Sequence, residues 1–155
     1  MARTSQQIAK IVTGYAKRIV AGKIPACKWT RLACQRHLDD LARSKAAAFA
    51  FRFDAGSARR VINFVELQHH TKGQWAAKGE RLILSDWEIF FVACIFGWLE
   101  KATGLRRFRR AMLLVARKNG KSQLAAAIGL YMVCADGEHG AEVYSGATSE
   151  KQALE

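Results

Sequence analysis

The sequence predicts an α/β fold in which a parallel sheet begins after a basic helical region. Three observations predict this. Residues 1–80 show helical periodicity and carry 15 Lys/Arg against 5 Asp/Glu. Residues 111–115 form a continuous apolar run that precedes a loop and a helical segment, which is the order strand, loop, helix. Residues 141–148 then predict a second strand. The expected division is a basic helical region, 1–80, and the start of an α/β domain, 81–155.

Residues 1–80 are predicted to contain three helices and one short strand. Capping-box spacing of Thr and Gln predicts a first helix over residues 4–22. Apolar periodicity predicts a second helix over about 29–43 and a third over about 57–73. Alternating phenylalanines predict a strand or extended segment at 49–53.

The second half is predicted to contain two further helices. Ser85 and Glu88 have the spacing of a capping box, and Gly97 lies near the end of the apolar run that follows them. Residues 120–135 are good helix formers, and Gly137 ends that segment.

Composition limits the class of protein. The 155 residues are half hydrophobic, which suits one domain with a real core, and the net charge is +12. This charge favours polyanionic partners, nucleic acid first and anionic membranes second. The longest apolar run, 89–99, is shorter than the roughly 18 residues of a membrane span, and no signal peptide begins the chain.

The cysteines predict an intracellular protein without structural disulfides. All four lie in apolar stretches at irregular spacing. Cys27, Cys34 and His37 do not predict zinc, because the sequence contains no C-x₂₋₄-C pair.

The segment "LLVARKNGKSQLAAA", residues 113–127, contains the second half of the phosphate-binding pattern G-x-x-x-x-G-K-[ST]. Gly120 lets the backbone approach a phosphate, Lys121 supplies a charge for the β and γ phosphates, and Ser122 offers a hydroxyl to Mg²⁺. Val115 stands at the first glycine position, where it fits the end of a strand. Asn119 tolerates a left-handed conformation. The alternative interpretation is an ordinary basic turn between strand and helix.

Two more cations lie within this loop. Arg117 and Lys118 repel Lys121 unless an anion lies among them. Arg117 is predicted to reach a γ-phosphate in the manner of an arginine finger. The alternative is a surface charge that does not contact nucleotide.

Taken together, these blocks resemble the N-terminal part of the large terminase subunit of tailed bacteriophages, the motor that packages viral DNA. The three matching stretches occur in the same order: "LQHHTKGQWAAKGERLILSDWEIFFVACIFGW", "RRFRRAMLLVARKNGKSQLAAA" and "GAEVYSGATSEKQAL". The family's loop commonly lacks the first glycine. The resemblance implies a P-loop NTPase of the additional-strand catalytic-glutamate type, with ATP and Mg²⁺ as cofactors. It also implies double-stranded DNA, the small terminase subunit and the portal protein as partners in the bacterial cytoplasm, and no membrane partner.

The resemblance also assigns site residues. It implies that phosphate is bound by Arg117, Lys118, Asn119, Gly120, Lys121 and Ser122, with Arg117 acting at the γ-phosphate and Ser122 holding Mg²⁺ through ATP. Trp87 and Glu88 match the family's adenine-side Trp-Gln pair, although a carboxylate accepts from the adenine amino group and cannot donate to the ring nitrogen. The alternative for Glu88 is a capping role with Ser85.

Residues 147–153, ATSEKQA, resemble the segment that couples the ATPase core to DNA in related motors. Thr148 and Gln152 are the candidates within it. The alternative for Thr148 is the cap of a helix N-terminus.

Hydrolysis requires a second strand that ends in an acid for Mg²⁺ and a carboxylate that positions water. "MVCADGE" contains Asp136 and Glu138, but it follows directly from the loop's own helix and is interpreted as the helix end. Neither that strand nor the family's nuclease domain is found. We therefore expect a fragment of a longer ATPase and endonuclease, which binds nucleotide without efficient hydrolysis.

Two other functions remain as alternatives. The first is a basic DNA-binding or regulatory module whose loop is not catalytic. The second, a small nucleotide kinase or another P-loop enzyme, is disfavoured by the basic helical region that precedes the loop. The cluster "RRFRR" (Arg106, Arg107, Arg109, Arg110) is interpreted as a solvated basic turn, with DNA phosphates as its other candidate contact.

Overall fold

The structure is a computed structural model, and it describes residues 2–71 and 73–146. The chain divides into two compact units, Met1–Leu114 and Val115–Glu155. The first contains α1 (Ser5–Val20), α2 (Lys28–Arg43), β1 (Phe51–Phe53), α3 (Ala55–Leu67), α4 (Gly73–Ala77), α5 (Asp86–Gly97) and β2 (Trp98–Glu100), and the second contains α6 (Lys121–Cys134). Among the residues described, none of the helices is long and apolar enough to cross a bilayer. The predicted boundary at residues 80/81 lies inside the first unit.

Helix α1 is the centre of the first unit and packs against α2, α3 and α5. Its predicted capping box is confirmed, because Gln7 N donates to Thr4 Oγ1 (3.2 Å) and Thr4 N donates to Gln7 Oε1 (2.8 Å). Gly22 follows the helix with a φ of 71°, a conformation that glycine adopts without strain. The inward face of α1 is completely or almost completely buried and consists of Ile8, Val12, Tyr15, Ala16 and Ile19.

Strands β1 and β2 form a small antiparallel sheet, with Phe53 opposite Trp98. β1 confirms the short strand predicted from the alternating phenylalanines. β2 was not predicted, because its residues continue the apolar run of α5. The helix changes to strand at Gly97, where a Cβ atom would lie 2.7 Å from Phe53 Cε2. A side chain at this position would therefore separate β1 from the end of α5.

Two buried polar residues of α2 tie this helix to β2. Trp98 Nε1 donates to His37 Nδ1 at 3.1 Å, and both side chains are buried. Asp40 is 2% exposed and its Oδ2 accepts from Arg107 Nη1 at 2.6 Å. Arg107 N in turn donates to Trp98 O at 2.9 Å. Burial lowers the pKa of His37 to about 4, because the cation loses its hydration there.

The interpretation of "RRFRR" as a solvated basic turn is wrong for Arg107. Its side chain is only 18% exposed, and its guanidinium carbon lies 4.6 Å from the ring centre of Phe51 and 5.0 Å from that of Phe108. The physical reason is Asp40, a buried carboxylate that requires a counter-ion. Arg109 and Arg110 are exposed, as expected of a basic turn.

Helix α3 is shorter than predicted. Asp54 caps it, since Ser57 N donates to Asp54 Oδ1 at 2.7 Å, and it ends at Leu67 instead of near Gly73. It ends early because the next residues pair with a later segment: Leu82 N donates to Gln68 O at 2.8 Å. This pairing encloses the single-turn helix α4.

The two strands predicted around the phosphate loop are not observed. Residues 111–115 and 141–146 form neither helix nor strand, and the sheet in the described part of the chain is antiparallel and two-stranded. Met112 and Leu114 are 84% and 86% exposed. A strand exists only with a hydrogen-bonded partner, and the described backbone supplies none to either segment. The parallel sheet is therefore not confirmed.

We predict that Arg107→Ala destabilises the first unit by about 3 kcal/mol, because among the described residues it leaves the buried Asp40 with the exposed Arg43 alone as a partner. Arg107→Lys should recover part of this loss, since an ammonium keeps the charge but lacks the planar stacking surface. Urea unfolding followed by tryptophan fluorescence measures both. Arg109→Ala is the matched control and should change stability by less than about 0.5 kcal/mol. Equal losses in Arg107→Ala and Arg109→Ala would contradict the assignment.

We also predict a pH dependence of stability that originates at His37. The pKa is 6.5 in the unfolded chain and about 4 when folded. As the pH falls through this window, the unfolded chain binds a proton that the folded chain does not, so stability decreases by up to about 3 kcal/mol. Above pH 6.5, the pKa of the unfolded chain, His37 is neutral in both states, so it adds no further change of stability with pH. Urea unfolding at about pH 7.5 and about pH 4.5 measures the difference.

His37→Gln should remove this dependence, because the amide oxygen can accept from Trp98 and does not titrate. His139→Gln, at an exposed position, is the control and should keep it. A pH dependence that persists unchanged in His37→Gln would assign the effect to other groups.

Candidate phosphate-binding loop

Residues 116–120 form a tight, exposed turn that leads into α6. Gly120 has a φ of 67° and is the N-cap of the helix. Lys118 has a φ of 65° and is the one non-glycine residue with positive φ in the described chain. The left-handed conformation expected for Asn119 is therefore at Lys118. Lys118 and Gly120 are thus left-handed, with Asn119 between them. Turns of this kind curve sharply, so that successive backbone N–H groups can point toward an anion.

Asn119 contributes through its side chain instead. Its Nδ2 donates to Ala116 O at 3.2 Å and to Arg117 O at 3.3 Å. These bonds tie the start of the turn to its end. They use the amide donor that would otherwise bond to water, and they stabilise the turn in which Lys118 is held left-handed.

Lys121 closes the loop from the helix side. Its Nζ donates to Val115 O at 2.7 Å and to Ala116 O at 2.8 Å. The ammonium group is thus held over the segment where the turn begins, and not extended into solvent. The contact at residue 115 uses the backbone carbonyl of Val115, a group that does not depend on the side chain there.

The N-terminus of α6 has no side-chain cap and no acidic residue in its first turn. Helices α1 and α3, in contrast, satisfy an N-terminal N–H with Thr4 or Asp54. The first N–H groups of α6 and the exposed hydroxyl-bearing residue Ser122 are therefore available to a ligand. An uncapped helix N-terminus with three cations beside it fits a phosphate group.

The sequence interpretation of "MVCADGE" is confirmed. Helix α6 includes Met132 and ends at Cys134, so Asp136 and Glu138 follow the loop's own helix. They do not end a separate strand.

Within residues 2–71 and 73–146, no group of three or more His, Cys, Asp or Glu side chains is arranged to hold a metal ion.

Trp87 and Glu88 lie in the first turn of α5, in the first unit, and both are half-buried. Glu88 Oε2 accepts from Ser85 N at 2.9 Å and from Ser85 Oγ at 2.7 Å. Glu88 therefore caps α5 together with Ser85, and its role on the adenine side stays a prediction. Thr148 and Gln152 lie outside the described residues.

Two features of the loop were missed by sequence reasoning. One is the left-handed Lys118, and the other is the use of the carbonyl groups of Val115 and Ala116 by Lys121. Backbone carbonyls leave no trace in residue identity. The pair Asn119-Gly120 is a turn signal, but it does not tell which residue of the turn becomes left-handed.

The comparison with known proteins supports the resemblance in this region. The family model of the terminase large subunit ATPase domain matches residues 86–155. The matched segment begins at the first residue of α5 and includes β2, the basic segment, the loop and α6. The predicted resemblance to terminase large subunits is thereby confirmed over these residues. No curated protein and no solved structure matches the chain.

Lys118 could contribute to ATP binding through its left-handed backbone or through its charge, and two substitutions distinguish these contributions. We predict that Lys118→Gly keeps ATP affinity within about threefold, because glycine adopts positive φ freely. Lys118→Val should lower it at least about tenfold, because a β-branched residue is strained there by more than 1 kcal/mol. Both variants remove the same charge and are matched. Equal losses, measured with a fluorescent ATP analogue, would show that only the charge matters.

Proposed function

We propose that the chain is the N-terminal part of a terminase large subunit, the ATP-driven motor that moves viral DNA into a procapsid. The supporting observation is that the family match spans the loop at the start of α6, and that this loop is curved, exposed and uncapped. As such a subunit, the protein would act in the cytoplasm of the host bacterium, with the small terminase subunit and the portal protein as partners.

The loop residues have distinct proposed roles. Lys121 exchanges its two carbonyl partners for phosphate oxygens, which are better acceptors because they are charged. Gly120 and Asn119 maintain the turn, and Ser122 offers its hydroxyl to Mg²⁺. Mg²⁺, when bound with ATP, supplies further neutralisation of the phosphates.

The exposed cations before the helix complete the proposed site. Arg117 is the candidate for the γ-phosphate, where a guanidinium stabilises developing negative charge. Lys118 adds positive potential beside it. Trp87 and Glu88 are proposed for the adenine side from the family resemblance, and Thr148 and Gln152 for coupling to DNA.

Nucleotide binding and nucleotide hydrolysis need different residues. Asp136 and Glu138 are the acids that the sequence offers as Mg²⁺ ligands after the loop. They follow directly from α6 and do not lie at the end of a strand. A carboxylate that positions water must lie near the γ-phosphate, on a neighbouring strand of the sheet. We therefore propose that the chain binds ATP and does not turn it over efficiently.

We predict saturable binding of a fluorescent ATP analogue to the full chain in the presence of Mg²⁺. Lys121→Ala should weaken binding at least about tenfold, because it removes a charge-assisted hydrogen bond. Lys10→Ala, at an exposed position of α1, is the matched control and should have no effect. Ser122→Ala should remove the gain in affinity that Mg²⁺ provides.

Phosphate release measured on the same preparations should remain at background. Equal affinity in wild type and Lys121→Ala would contradict the phosphate site and favour the basic DNA-binding module. Turnover that disappears in Lys121→Ala would contradict the separation of binding from hydrolysis.

A further inference from the structure

The net positive charge of the chain lies in residues 1–114. This part has 21 Lys/Arg against 8 Asp/Glu, whereas residues 115–155 have 4 against 5. The phosphate loop therefore does not account for the basic balance. A surface of the first unit must carry it.

Helix α2 carries four exposed cations of that unit. We use the term α2 strip for its solvent-facing cations, which are Lys28, Arg31, Arg36 and Arg43. The strip runs the length of the 16-residue helix, about 24 Å at 1.5 Å per residue. One acid, Asp39, lies on the same face, and it accepts from Gln35 Nε2 at 2.8 Å.

Most cations of the strip have no acidic partner in the described part of the chain. Lys28, Arg31 and Arg36 form no ion pair with a described acid. Arg43 shares the buried Asp40 with Arg107 and keeps 64% of its side chain exposed. The strip is thus a row of positive charge that the fold does not neutralise.

Aromatic rings lie beside three of these cations. Arg36 Cζ lies 4.6 Å from the ring centre of Phe108, and Arg43 Cζ lies 4.4 Å from that of Phe49. Lys28 Nζ lies 5.5 Å from the ring centre of Trp29. A stacked guanidinium keeps its N–H groups free at its edge and loses less conformational entropy when it binds a ligand.

We propose that the α2 strip binds the phosphate backbone of duplex DNA. The site deepens the proposed function, because it gives the motor's substrate a contact surface apart from the phosphate loop. Exposed cations distributed along a helix about 24 Å long fit a regular polyanion that rises about 3.4 Å per base pair. Phosphate contacts of this kind are independent of sequence.

The rings favour duplex over single-stranded nucleic acid. Single strands are bound by aromatic faces on which successive bases stack. Phe49 and Phe108 are half-buried and already face Arg43 and Arg36. Trp29, at 73% exposure, is the one strongly exposed ring on the helix, and one ring does not form a stacking platform.

An acidic protein is the competing partner. The exposed apolar side chains of α2, Trp29 and Leu32, both lie near its N-terminal end, whereas the cations continue to Arg43. Contacts along the whole helix would therefore be mainly with charge, which favours a polyanion over an apolar interface.

The test measures binding of the full chain to a labelled duplex of about 30 base pairs and unrelated sequence, by fluorescence anisotropy between about 50 and 200 mM salt. The double variant Arg31→Gln, Arg36→Gln removes two strip charges. The matched control Arg59→Gln, Arg60→Gln removes two exposed charges from α3. We expect about tenfold weaker binding or more in the α2 variant, a salt slope smaller by about 2, and less than a threefold change in the control.

A second measurement uses the wild-type chain and does not depend on the folding of variants. Duplex DNA should protect Lys28 from acetylation and leave Lys10, on α1, as reactive as in the free protein. Protection of both lysines, or of neither, would overturn the α2 strip as the contact surface.

Competitors identify the ligand. Equal losses in the α2 and α3 variants would reduce the binding to diffuse attraction and overturn the proposal. Tighter binding of a single strand of equal length, or equal competition by poly-glutamate, would assign the surface to a different partner. ATP-analogue binding should be unchanged in the α2 variant, so a failure of the nucleotide site and a failure of the strip are distinguishable.

Discussion

The buried ion pair of Asp40 and Arg107 is the constraint on which the first unit depends. A carboxylate that is 2% exposed is tolerated only with a counter-charge of good geometry. Arg107 supplies that charge, and its backbone N–H bonds to Trp98 O, so the ion pair fixes the basic segment on β2. Trp98 then donates to His37 on the same helix as Asp40. Asp40 and His37 lie on the buried face of α2, and the exposed cations of the same helix lie beside that face, toward solvent.

The helices of the first unit were predictable because their determinants are local. The capping boxes at Thr4–Gln7 and Ser85–Glu88 act within four residues, and the starts of both helices were predicted correctly from them. Strand β2 and the role of Arg107 were not predictable, because they depend on contacts with β1 and with Asp40, which are distant in sequence. An arginine in a basic run has the same identity whether it is solvated or pairs with a buried acid. The sequence gives no signal for the difference.

The two predicted strands show another limit of pattern analysis. A continuous apolar run such as 111–115 expresses a preference for burial, but a strand also requires a backbone partner, which is a property of two segments. The loop after it was better determined, since the glycine before Lys121 permits the left-handed residue from which α6 starts. Asn119 does not adopt the left-handed conformation that asparagine tolerates. Its side chain instead donates to Ala116 O and Arg117 O.

The arrangement of the loop also bears on how a nucleotide would be bound. Lys121 is already ordered by two neutral carbonyl groups, so much of the rotamer entropy that a long side chain loses on binding is lost before any ligand arrives. Exchange of those carbonyls for phosphate oxygens replaces neutral acceptors with charged ones, which form stronger bonds to an ammonium. The uncapped N–H groups of α6 gain partners at the same step. Each change favours the anion-bound state, and none requires a glycine at the position of Val115.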